Sequence, residues 1–160
     1  MLDPLLCRDT LARLVTDETA ALEALARVLD VEHQALVAND VEALARAGES
    51  RHGYVATLVR VEEERRSLCR AMQVADDARG LERLLRQCDP SRDLQQRWAR
   101  CASLAERCRN LNDRNGALVA ARMKHVEQVL AVITRNTAGT YGRRGPSAQV
   151  AAGRVLTAQA

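Results

Sequence analysis

At 160 residues, with 28% charged and 47% hydrophobic side chains, the chain has the size and composition of one soluble domain. Aromatic residues make up only 2% (Tyr54, Trp98 and Tyr141, with no Phe), so Leu, Val, Ala and Met must build the core, which favours slim helical layers over a β-sandwich. A net charge of +3 without interleaved aromatic residues argues against a nucleic-acid partner, and no stretch reaches the ~20 apolar residues of a membrane span, so stable membrane insertion is not expected.

The first ten residues, MLDPLLCRDT, lack the basic start and apolar run of a signal peptide. Asp3-Pro4 can cap and open a first helix. Its apolar positions Leu11, Val15, Leu22, Leu25, Leu29 and Leu36 step by three and four, with Glu18 and Glu32 filling the gaps. Asn39-Asp40 ends that helix and caps the next. The second runs from Val41 to about Val74, with Val41, Leu44, Val55, Leu58, Val61, Leu68 and Met72 on its apolar side. Gly48, Arg51, His52 and Gly53 weaken its middle and suggest a bend or fraying there rather than a break, since neither proline nor a turn cluster appears. Glu62 to Arg66 reads as a solvated face with helical charge pairs.

A short helix from Arg79 to Gln87 carries Leu81, Leu84 and Leu85 and must pack on its neighbours. Asp89-Pro90 reads as a cap with proline at the first helical position. From there periodicity holds to about Thr134, which predicts a helix roughly 66 Å long at ~1.5 Å per residue. Beyond Asn136 it fades. The expected fold is all-α: an elongated antiparallel bundle of three long helices plus one short helix in residues 1–135, with a flexible basic tail in 136–160. No acidic residue follows Glu127, whereas Arg135, Arg143, Arg144 and Arg154 do. The five cysteines, Cys7, Cys69, Cys88, Cys101 and Cys108, have no paired zinc spacing and read as small buried hydrophobes in a reducing compartment, with the cytoplasm as the default.

The fourth helix carries the anomalies. Leu111, Asn115, Leu118, Arg122, Val126, Val129 and Ile133 share one helix face, a stripe that is normally core. An amide and a guanidinium in such a stripe need partners, and Gly116 inside a helix costs roughly 0.5–1 kcal/mol relative to alanine. Asn115 and Arg122 are therefore expected at a helix–helix seam, near Glu32 or Arg51. Asn115 either fixes helix register there or, with its neighbour Asn112, lines a groove for a partner peptide. A second stripe, Leu118, Val119, Met123, Val126 and Leu130, exceeds what one core needs. It is left for a partner and would mediate self-association when empty.

Catalytic and metal chemistry find little support. Glu49-x-x-His52 has the spacing of a di-iron motif, but that fold needs two such motifs and further carboxylates. His33, His52 and His125 lack a surrounding phosphotransfer pattern. No nucleophile sits with a base at meaningful spacing. The expectation is no enzyme, no cofactor and no metal.

The run LNDRNGALVAARMKHVEQVLAVI, followed by TYGRRG, resembles the FlgN-type flagellar export chaperones. In that family a long C-terminal helix carries an asparagine pair, an apolar-basic stretch and a Tyr-Gly element. The matching positions are Asn112, Asn115, Gly116, Leu118, Arg122, Val126, Leu130, Tyr141 and Gly142. The first half, with Glu18, Glu32, Asp40 and Arg51, is similar to the family's helical hairpin. Arg143-Arg144 departs from the acidic or neutral residue that often follows. The resemblance implies a cytoplasmic protein that grips hook-associated proteins of the hook–filament junction by an amphipathic C-terminal segment and delivers them to the flagellar type III export apparatus. Its client-binding residues would be Asn112, Asn115, Leu118, Val119, Arg122, Met123, Val126 and Leu130, with Tyr141 and Gly142 docking on the apparatus. The competing expectation is a helical scaffold that binds coiled coils without releasing a client.

Overall fold

The computed structural model of the chain describes residues 3–142, with side chains over 3–139. Four helices and no strands are found among the described residues: α1 (Pro4–Ala38), α2 (Val41–Ala71), α3 (Ala78–Cys88) and α4 (Asp93–Gly142). The chain divides into two units, Met1–Leu118 and Val119–Ala160. Three long helices and one short one are what the periodicity predicts.

The caps follow from local sequence. Asp3 accepts from the Leu5 N–H at 3.1 Å, with Pro4 supplying a helical φ at the first position. α1 ends where Asn39 takes the left-handed conformation, φ 61°. There the Asp40 N–H donates to Ala35 O and the Asn39 N–H to Leu36 O, which satisfies two otherwise orphaned carbonyls. Asp40 then caps α2 by accepting from the Ala43 N–H at 3.0 Å. The end of α2 repeats the device with Gln73 at φ 55°, the Val74 N–H donating to Cys69 O.

Within Met1–Leu118, α1 is the central element. Its buried positions Cys7, Leu11, Val15, Leu22, Leu25 and Leu29 join Leu68 and Cys69 of α2, Leu81, Leu84, Leu85 and Cys88 of α3, and Leu94, Cys101 and Cys108 of α4 in one core. All five cysteines are buried, as their small apolar character predicts. Arg13 pairs with Glu64 and Glu32 with Arg51, so α1 and α2 run antiparallel. Arg97 donates to Thr16, Cys108 to Leu22 O and Asn115 to Leu29 O, so α4 runs parallel to α1.

Three expectations are corrected. On α2, Val41 and Val55 are exposed, and only Ala47, Val61, Leu68 and Cys69 are buried. Pro90 lies in a turn rather than at a first helical position, because Asp89 closes α3 and reaches across to α4. Its buried carboxylate accepts from the Leu94 N–H at 2.7 Å and the Ser91 N–H at 3.3 Å, with Arg92 at φ 64° between them. The Ser91 hydroxyl, the Leu94 N–H and nearby Arg8 hold the Asp89 carboxyl below the usual carboxylate range. Finally, α4 does not stop at Thr134 but continues through Asn136 and Gly139 to Gly142. A helix glycine costs only about 1 kcal/mol and breaks nothing, and no proline intervenes before Pro146. The rest of the expected tail, 143–160, lies outside the described residues.

Glu18, the first polar gap in the α1 stripe, is half-buried. Burial pushes its carboxyl above the usual range; Arg65 pulls the other way, and Glu62 adds to the rise. The folded state thus holds this proton more tightly than the unfolded chain. Its ionisation costs stability at neutral pH, a cost that vanishes below the unfolded value near 4.5. Glu18→Gln is therefore expected to raise the thermal midpoint at pH 7, with the gain shrinking to nothing by about pH 4. Melting curves across that range check the sign.

Candidate functional site

The structure places Asn112 and Asn115 of α4 at its seam with α1 and α2. Asn115 is 5% exposed, and its Nδ2 donates to Leu29 O at 2.8 Å. That fixes its Oδ1 as an acceptor facing His33 Nδ1 at 3.2 Å, so Nδ1 of His33 carries the proton. The expected neighbours of Asn115 pair with each other instead. Arg51 Nε lies 3.4 Å from Glu32 Oε1, and Arg51 Nη1 donates to Asn112 Oδ1 at 3.3 Å. The asparagine pair is therefore split: Asn115 ties α4 to α1, and exposed Asn112 ties it to α2. Nothing in the structure explains Gly116, which is exposed with open space around it.

Asn115→Leu is expected to raise stability by about 1 kcal/mol, since Leu29 O keeps its helical bond, half-buried His33 can turn to water and the new side chain packs at the seam. A thermal midpoint that falls instead would show that the amide's two hydrogen bonds outweigh apolar packing.

Beside this network lies a groove of about 510 Å³ between α1, α2 and α4. Leu22, Leu25, Leu29 and Cys108 are among its apolar lining, and Arg51 and Asn112 among its polar lining. The signal for it was present in the sequence: Gly48, Arg51, His52 and Gly53 leave the middle of α2 without large apolar side chains to cover the α1–α4 seam. α2 is continuous through that stretch, with no break, as its lack of proline and of a turn cluster leads one to expect.

Burial along α4 changes character near Leu118. Leu94, Cys101, Cys108 and Asn115 are buried, and Leu118 is half-buried. In the second unit Arg122 is half-buried, whereas Val119, Met123, Val126, Val129, Leu130, Val132 and Ile133 are between 43% and 58% exposed. Val129 and Ile133, on the stripe that is normally core, are thus exposed, as is Val126, which the two stripes share. Val119, Met123, Val126, Leu130 and Ile133 step by four, three, four and three, the spacing of a coiled-coil seam. The surrounding charge is mostly basic: Arg122, Lys124, His125 and Arg135 against Glu127 alone. Tyr141 and Gly142 fall in the last turn of α4, and the Tyr141 side chain lies outside what is described.

Among the described residues no group of three His, Cys, Asp or Glu could hold a metal ion, and no helix is long and apolar enough to cross a membrane. Among the described residues the chain is all-helical, and a heptad-spaced apolar face on α4 is exposed. The family model described as FlgN protein matches residues 6–149, and the chain belongs to that family of flagellar export chaperones. Searches of curated proteins and of solved structures return no match.

Proposed function

We propose that the protein binds hook-associated proteins of the hook–filament junction in the cytoplasm and delivers them to the flagellar type III export apparatus. The observation that carries the reading is the uncovered stripe Val119, Met123, Val126, Leu130 and Ile133 on α4, within the family-matched residues. The matching client is an amphipathic C-terminal helix with apolar residues in the same four-three spacing and carboxylates beside them, facing the basic flank of Arg122, Lys124 and Arg135. Asn112, Asn115 and Leu118 belong to Met1–Leu118, where the two asparagines hold α4 in place. Binding of the client's helix is to be measured by calorimetry with and without that C-terminal segment. Affinity that survives its removal contradicts the reading. Empty, the same stripe supports self-association, which client should dissolve.

Tyr141-Gly142 forms the docking element for the export apparatus in this proposal, a tyrosine anchor beside Arg143 and Arg144. Tyr141→Ala is expected to leave client affinity unchanged and to lower client secretion in a motile cell severalfold. Normal secretion, or client affinity lost along with it, rejects the assignment.

A further inference from the structure

Cys7 and Cys88 face each other inside the first unit. Their sulfurs are 2.9 Å apart, although the residues are 81 positions apart in sequence. A disulfide spans about 2.05 Å, so closing the bond needs a movement of less than about 1 Å. The other cysteines differ. Cys108 donates to the Leu22 carbonyl, and Cys101 has Glu18 and Thr19 as its polar neighbours. Cys69 shares the core with the pair and is the rival partner.

The surroundings hold the two chain segments in register. Cys7 lies in the second turn of α1 and Cys88 is the last residue of α3. The next residue on each side repeats the contact, with Arg8 Nε 4.0 Å from Asp89 Oδ1. Asp89 is itself bonded to the Leu94 N–H at the start of α4. A bond between the two sulfurs would therefore tie the start of α1 to the α3–α4 junction.

We propose that Cys7 and Cys88 are an oxidation-sensitive staple, closed by peroxide to a disulfide and opened by thiols. One thiol is oxidised by hydrogen peroxide to the sulfenic acid, releasing a water. The second thiol attacks that sulfur, the S–S bond forms and a second water leaves. Two thiols and one peroxide thus become one disulfide and two waters. In the closed fold the pair is protected. Both residues are buried, and burial followed by the Cys88 contact pushes the Cys7 thiol up to about 12, so the reactive thiolate is scarce. Oxidation proceeds when the first turn of α1 frays; Leu5 and Leu6 there are exposed, so no core contact of theirs opposes it. The staple lies wholly within Met1–Leu118, so its formation does not depend on what the second unit binds.

The test uses the reduced full-length protein, treated with hydrogen peroxide, blocked with iodoacetamide and digested with trypsin without reductant. The expected product joins the peptide of residues 1–8 to that of 87–92, with the pair lighter by two hydrogens and Cys101 still free in 101–107. The thermal midpoint of the oxidised protein should rise by roughly 10 °C, as closing a long loop predicts, and dithiothreitol should reverse it. Cys88→Ser should abolish the rise. Several results would overturn the proposal: Cys7 and Cys88 left free by peroxide that oxidises an exposed reference thiol, residues 1–8 joined instead to 67–70 through Cys69, sulfinic acid at Cys7 without a crosslink, or a linked protein with an unchanged midpoint.

Discussion

Replacing Val119 and Met123 together with aspartate is expected to weaken binding of a hook-junction protein's terminal helix by roughly 100-fold or more while leaving the fold intact. Both side chains are exposed, 44% and 58%, so the free protein loses no core contact. In the complex each would be buried against the client, and burying such a side chain contributes ~1.5–3 kcal/mol. Two losses of that size already exceed 2.8 kcal/mol, about a hundredfold in affinity, and a buried unpaired carboxylate adds a further penalty. Helicity by circular dichroism and the thermal midpoint should match the parent. Parental affinity in this variant would move the client off this face, with the groove beside Arg51 and Asn112 as the next site to probe.

The largest expected stability effect is at Gly80. A Cβ built there would sit 1.7 Å from Ala75 O and 2.6 Å from Ala75 C. The obstacle is backbone, so no side-chain rotation can relieve it. The connector after α2 is held on both sides. The Val74 N–H is bonded to Cys69 O, and Asp77 caps α3 by accepting from the Gly80 N–H at 2.8 Å. Gly80→Ala must break one of these anchors or displace α3, whose Leu81, Leu84 and Leu85 are core. A loss of about 3 kcal/mol is expected, or a midpoint lower by roughly 6–12 °C. A midpoint within 2 °C or so of the parent would mean that the connector yields freely.

Much of this fold was legible from periodicity. Steps of three and four from Leu11 to Leu36, and the leucines at 81, 84 and 85, marked helices with one apolar side, and those residues are buried in the structure. Cap chemistry was legible at Asp3-Pro4 and Asn39-Asp40 for the same local reasons. What periodicity does not carry is whether a neighbour covers the face it marks. Leu111 and Ile133 lie on one stripe of α4, yet the first is half-buried and the second exposed. Val55 and Val61 lie on one side of α2, yet Val55 is exposed and Val61 buried. Polar partners were also hard to assign, because they depend on register between helices. Asn115 meets Leu29 O and His33 rather than Glu32, one step away on α1, and Glu32 goes to Arg51. At Asp89-Pro90 the local signal was real but served a turn, since a single buried carboxylate closes one helix and opens the next. The second stripe of α4 was legible as surplus apolar surface, and the structure leaves Val119, Met123, Val126 and Leu130 of it exposed, with Leu118 half-buried.

The central claim is that the exposed stripe of α4 receives the client. A photoreactive benzoylphenylalanine at Leu130 tests it directly, because Leu130 is 56% exposed and the substitution disturbs no core contact. The same group at Val59, 52% exposed on α2, serves as the comparison. With a hook-junction protein present, illumination of the Leu130 variant should yield a covalent adduct that maps to the client's C-terminal segment, and the Val59 variant should yield none. Adducts from Val59 with none from Leu130 would contradict the account.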